Sequence, residues 1–197
     1  MPDTADPTIV IVPGLRDHVA EHWQTLLAER LDKVRTVPPL ERNKLSLAAR
    51  IAALDAVVAD VEGPVVLVAH SAGVMITVHW AQHHPRPVRA ALLATPADVE
   101  TPMPSGYPTP EELAAGGWLP IPRRQLSFPS IVAASTTDPL AAYRRVAGMA
   151  EAWGSRLVDL GDVGHLNPAS GYGEWPRAQE LLDELLAATA TGVQAAR

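Results

Sequence analysis

Short runs of β-branched and aliphatic residues alternate along this chain with longer segments of helical spacing, and that alternation admits few folds. Parallel strands cannot be joined by a tight hairpin. Each apolar run needs a helix-length crossover before the next, which yields a parallel sheet covered by helices on both faces. The spacing predicts strands over 8–12, 35–37, 65–69, 88–94, 130–135 and 156–160, whose near-continuous apolar character suits a sheet buried on both sides. It predicts helices over 18–33, 47–61, 72–83, 141–153 and 175–188, the second carrying the stripe Leu47, Ile51, Leu54, Val57, Val58 and Val61. The expected architecture is a single α/β domain of about six mostly parallel strands.

A chain of 197 residues is long enough to bury roughly 70% of its unfolded surface, so it needs no disulfide or metal staple. Hydrophobic residues at 47% and charged residues at 19% describe an ordinary globular protein. No apolar run reaches the length of a membrane span. Residues 1–7 lack a basic and apolar leader pattern and read as a disordered lead-in, with the domain over 8–190 and a disordered tail over 191–197; cytoplasmic localisation is the expectation. The absence of cysteine excludes thiolate chemistry and Cys-ligated zinc, and a net charge of −6 without a basic run argues against nucleic acid or anionic membranes as partners. Composition says nothing about oligomeric state.

Residues 99–129 break the alternation. They are rich in Pro and Gly, and Thr109-Pro110-Glu111-Glu112 has the form of a capping box with Gly116-Gly117 placed to end one short helix. An insertion of this length reads either as a lid or as an ordered connection without a binding role.

At Ala69-His70-Ser71-Ala72-Gly73 a serine flanked by small residues stands where a predicted strand meets a predicted helix. That is the setting of a nucleophile elbow, in which a sharp turn lifts the hydroxyl above the sheet; Ala69 replaces the usual Gly. A serine hydroxyl is a weak nucleophile without a base, and the base needs a carboxylate behind it. His165 lies after the last predicted strand and Asp138 after the one before it, giving the order Ser, acid, His. Asp162 and Asp98 are competing acids, less well placed. The backbone N–H of Ala72 and that of Leu15, in the turn Pro13-Gly14-Leu15 after the first strand, are the candidate oxyanion donors.

The pairs His18/His22 and His79/His83 have zinc-compatible helical spacing but no third ligand, so they read as surface or capping residues. His70 reads as a packing or hydrogen-bonding residue rather than a second base. No glycine-rich phosphate loop follows the first strand, so neither a metal nor a nucleotide cofactor is expected.

Taken together, Val12-Pro13-Gly14, His22-Trp23-Gln24, Ala69-His70-Ser71-Ala72-Gly73, His79-Trp80-Ala81, Asp138-Pro139, Gly164-His165-Leu166-Asn167 and Ser170-Gly171-Tyr172-Gly173-Glu174-Trp175-Pro176 resemble the small α/β-hydrolases named after the retinoblastoma-binding protein, with their bacterial relatives. The resemblance implies a compact serine hydrolase with a minimal cap and with Ser71, Asp138 and His165 as its triad. Two features depart from it. The turn after Gly14 is shortened to Leu15-Arg16-Asp17-His18, and the cysteine of the namesake's retinoblastoma-pocket motif is missing.

The expectation is therefore a hydrolase of carboxylic esters or related acyl compounds, acting on a small-molecule acyl substrate. A non-catalytic binding protein on the same fold and an acyltransferase are the open alternatives. By position, Leu15, Arg16, Trp118, Leu140 and Leu166 are candidate pocket residues, and Arg16 either meets an acidic substrate group or pairs with Asp17 or another carboxylate.

Overall fold

The structure is a computed structural model and describes residues 6–84 and 86–190. Most of the expected lead-in and all of the expected tail lie outside the described residues. Six strands, β1 (Thr8–Val12), β2 (Val34–Thr36), β3 (Val65–His70), β4 (Ala90–Ala94), β5 (Ser130–Ala134) and β6 (Arg156–Asp159), form one sheet of order β2-β1-β3-β4-β5-β6. Every pair is parallel. Because the chain leaves β1 for β2 on one side and returns to β3 on the other, the order reverses between β1 and β3. Such a switch point opens a crevice at the carboxyl ends of the two strands.

The helices are α1 (Trp23–Ala28), α2 (Leu47–Ala59), α3 (Ala72–Ala81), α4 (Pro110–Ala115), α5 (Tyr143–Trp153) and α6 (Arg177–Ala190). Alternate strand residues feed two cores, as the two-residue period of a strand requires. Val10, Leu67, Leu93 and Val132 face α2, α3 and α5, whereas Ile11, Val68, Leu92 and Ile131 face α1 and α6. None of the six helices is long and apolar enough to cross a membrane.

The first helix is much shorter than the periodicity predicts. His22 ends the preceding loop and caps α1, its Nδ1 accepting the Gln24 N–H at 3.2 Å. Residues 14–22 form a loop closed by the Asp17 N–H on the Gly14 carbonyl at 3.1 Å. After Ala28, bonds from Arg30 to Leu27 and from Leu31 to Ala28 tighten the last turn, and the chain enters β2 directly.

The insertion keeps its capping box, with reciprocal bonds between Thr109 and Glu112. Most of its second half is core rather than cover: Leu113, Trp118, Ile121, Leu126 and Phe128 are buried with α2, α3 and α5. Asp98 fixes its beginning by a two-pronged bond to Arg145 of α5, at 2.7 and 2.9 Å.

The tightest backbone contact lies where α3 crosses β1. A Cβ on Gly73 would stand 2.1 Å from the Val12 carbonyl oxygen and 2.7 Å from that of Pro13, so only glycine lets the helix start there. Gly73→Ala is expected to cost about 3 kcal/mol or more of unfolding free energy, measured by urea titration, because backbone on both sides must shift. Wild-type stability in that variant would contradict the packing described.

Candidate active site

Ser71 occupies the turn between β3 and α3 with φ 58° and ψ −125°, a conformation that non-glycine residues adopt at a cost. Its N–H still bonds the Ala94 carbonyl at 3.1 Å, so β4 fixes the turn, and its side chain caps no helix N–H. The hydroxyl is thereby left for another partner, His165, whose Nε2 lies 2.8 Å from Ser71 Oγ.

His165 rides on the loop between β6 and α6. Gly164 (φ 55°) and Leu166 (φ 49°) bend this loop on either side of the ring. Ser170 Oγ accepts the His165 N–H at 3.0 Å and Thr137 Oγ1 accepts that of Gly164 at 3.1 Å. Asp138, in the loop after β5, meets His165 Nδ1 with both carboxylate oxygens at 2.9 Å, and its Oδ1 also accepts the Leu140 N–H at 2.8 Å. The side chains of His165 and Asp138 are 4% and 2% exposed, which keeps water from competing for the pair. Since a carboxylate only accepts, Nδ1 carries the ring hydrogen and Nε2 presents a lone pair to the serine O–H. The competing acids are occupied elsewhere: Asp162 accepts from Thr137 Oγ1, and Asp98 is held by Arg145.

These groups open into a cavity of about 320 Å³ lined by the loops that follow β1, β3 and β4 and by the His165 loop. Leu15, Ala72, Arg16 and Leu140 line it. Among the described residues the Leu15 and Ala72 N–H groups have no hydrogen-bond acceptor, and both residues line the cavity together with Ser71. Two expected pocket residues do not line the cavity. Trp118 is buried in the core, with its indole N–H donating to the Leu45 carbonyl at 2.7 Å. Leu166 turns through its positive φ into the opposite core, beside α1 and α6.

Several cavity residues were not anticipated as such. Val99, Met103, Gly106, Tyr107 and Pro108 supply the insertion's wall. Gln24, buried in α1, donates through Nε2 to the carbonyls of Val12 at 3.3 Å and Val68 at 3.0 Å, tying the ends of β1 and β3 together beneath the crevice. Its signal was the His22-Trp23-Gln24 run, whose polar residues interrupt an apolar helix face.

Three imidazoles cluster beside the serine, with ring centroids 4.6 Å apart for His22–His70, which meet edge-on, and 4.9 Å apart for His70–His165, which are tilted. His70 Nε2 lies 2.9 Å from the His165 carbonyl oxygen, so it carries the hydrogen and donates, holding the His165 backbone. Burial, reinforced by His165, pushes the His22 ring down to about 4. His70 is driven well below the ordinary range by burial first and then by the other two rings. Both are thereby favoured in the neutral form, with His70 between His22 and His165. Among the described residues, no three His, Asp or Glu side chains are grouped to hold a metal ion.

The profile of the serine hydrolase family matches residues 9–184, nearly the whole domain. The chain belongs to that family. Among solved structures, it is similar to a protein described as a YdeN-like hydrolase from Pectobacterium atrosepticum, at 29% identity over 92% of this chain and 91% of that one, with a TM-score of 0.77. The ydeN gene product of B. subtilis is 18% identical over 92% of this chain and 100% of its own, with a TM-score of 0.69. A thermophilic esterase from Thermogutta terrifontis shares the fold at 16% identity, covering 93% and 90%, with a TM-score of 0.65. No curated protein matches the sequence significantly. This serine hydrolase is thus an enzyme, and its neighbours share the α/β-hydrolase fold.

The buried histidine cluster makes stability depend on pH. Unfolded, His22 titrates at its ordinary 6.5; folded, it stays neutral down to about 4. Between those values the unfolded chain binds more protons, so stability is intact above pH 6.5 and falls as pH drops towards 4. His22→Asn keeps a capping acceptor and removes the titration. Its stability should fall less steeply over that window, by up to about 1.4 kcal/mol per pH unit in urea titrations. A slope equal to that of wild type would contradict a neutral His22 in the folded state.

Proposed function

We propose that this hydrolase cleaves carboxylic esters or related acyl bonds of a small-molecule substrate through an acyl-enzyme on Ser71. The observation that carries the reading is the unbroken chain from Ser71 Oγ through His165 to Asp138, at 2.8 and 2.9 Å, opening onto a cavity. As Oγ attacks the acyl carbon, His165 Nε2 takes its proton. Asp138, already on Nδ1, stabilises the imidazolium and keeps the ring in register. The carbonyl oxygen becomes an anion between the Leu15 and Ala72 N–H groups, whose lack of an acceptor among the described residues fits that role. Collapse expels the alcohol, which receives the proton from His165. Water, deprotonated by the same nitrogen, then attacks the ester of Ser71 and releases the acid.

The insertion's wall, Val99 to Pro108, acts here as one side of the acyl pocket rather than as a separate cap. Ser71→Ala should lower turnover of an activated ester by about six orders of magnitude, and Asp138→Asn by about four. A fluorophosphonate should label wild type and leave Ser71→Ala unlabelled. Full activity in Ser71→Ala would remove the nucleophile assignment, and an unlabelled, inactive wild type would favour a binding protein.

A further inference from the structure

The charges around the cavity are few, and nearly all are accounted for. Asp17 is neutralised by Arg50 of α2, whose Nη1 lies 2.6 Å from Oδ1; the two side chains are 12% and 5% exposed. His22 and His70 are neutral, and Asp138 lies behind His165. That leaves Arg16.

Arg16 has no carboxylate partner among the described residues. Its guanidinium carbon instead lies 5.6 Å from the centre of the Tyr107 ring. Of the alternatives raised by the sequence, pairing with Asp17 is removed, because Arg50 already holds that carboxylate. A cation–π contact of this kind restrains a guanidinium without using its N–H donors, which stay available to a carboxylate. The remainder of the wall is largely apolar, with Leu15, Val99, Met103, Pro108 and Leu140. A chain of net charge −6 repels anions at long range, so a preference for an anionic substrate has to come from a local cation of this kind.

We propose that the substrate class is monoanionic: an acyl compound whose apolar body fills the cavity and whose carboxylate is held by Arg16. This rests on the Ser71 reading given above and adds the charge of the substrate to it. Arg16 is then a specificity-determining residue, with Tyr107 as its platform and the Asp17–Arg50 pair keeping a competing carboxylate away.

The test compares mono-p-nitrophenyl adipate with its neutral isostere, the p-nitrophenyl ester of adipic acid monoamide. 4-Carboxyphenyl butyrate, with its own neutral carboxamide, asks whether the anion sits on the leaving-group side. Wild type should prefer one carboxylate ester over its amide by about three- to tenfold in kcat/KM, the range for a partly exposed ion pair, and less at high salt. Arg16→Gln should bring that ratio to about one and Arg16→Lys should restore part of it. Equal kcat/KM for acid and amide in both pairs, or a preference that survives Arg16→Gln, overturns the proposal while leaving the nucleophile in place. Turnover that survives Ser71→Ala instead strikes the underlying reading. Binding gives the answer without turnover: adipic acid monoamide should raise the melting temperature of Ser71→Ala protein, and the rise should vanish when Arg16→Gln is added. An unchanged rise also overturns the proposal.

Discussion

The crossing of α3 over the end of β1 sets how far Ser71 can stand from the loop that faces it. With a side chain at Gly73 the helix would be pushed off the Val12 and Pro13 carbonyls, and the serine turn would move with it. Gly14, in the loop after β1, is the counterpart, since a Cβ there would lie 3.2 Å from Ser71 Cβ. One glycine in the loop after β1 and one in the first turn of α3 thus let the β1 loop and the serine turn approach each other closely. Gln24 closes the same junction from below by bonding the carbonyls of both strands. Three separate contacts thus converge on the β1–β3 gap.

On that platform, burial decides the role of each titratable group. His165 and its two neighbours are all imidazoles, but only His165 has a carboxylate on Nδ1. Burial holds His22 and His70 neutral, and their nitrogens serve structure, Nδ1 of His22 as a helix cap and Nε2 of His70 as a donor to the His165 carbonyl. Asp98 and Asp162 show the same sorting among acids, one neutralised by a guanidinium and the other bonded to a hydroxyl.

The parts of this arrangement that depend on strand ends were legible in the sequence. Ser71, Asp138 and His165 each follow an apolar run, and the chain order of a parallel sheet places such positions along one edge. Contributions from loops were not. Trp118 and Leu166 stand near site segments in sequence, but a 0% exposed indole in one core and a left-handed backbone at Leu166 carry them away from the cavity. Tyr107 reaches the cavity because the half of the insertion after it is anchored in the core, a tertiary effect that no local period encodes. The first helix was overextended for a similar reason: residues 18–21 have helical spacing but are drawn into the loop that carries Leu15 and Arg16.

As nucleophile, Ser71 would carry the acyl group on a covalent bond during turnover. That bond is tested most directly by acid-quenching wild-type protein within the first turnovers of an activated ester and mapping the digest by mass spectrometry. The account predicts an acyl mass increment confined to the peptide containing Ser71, present during turnover and lost as substrate is exhausted. Steady turnover with no acylated peptide, or with the acyl group on another residue, would contradict it.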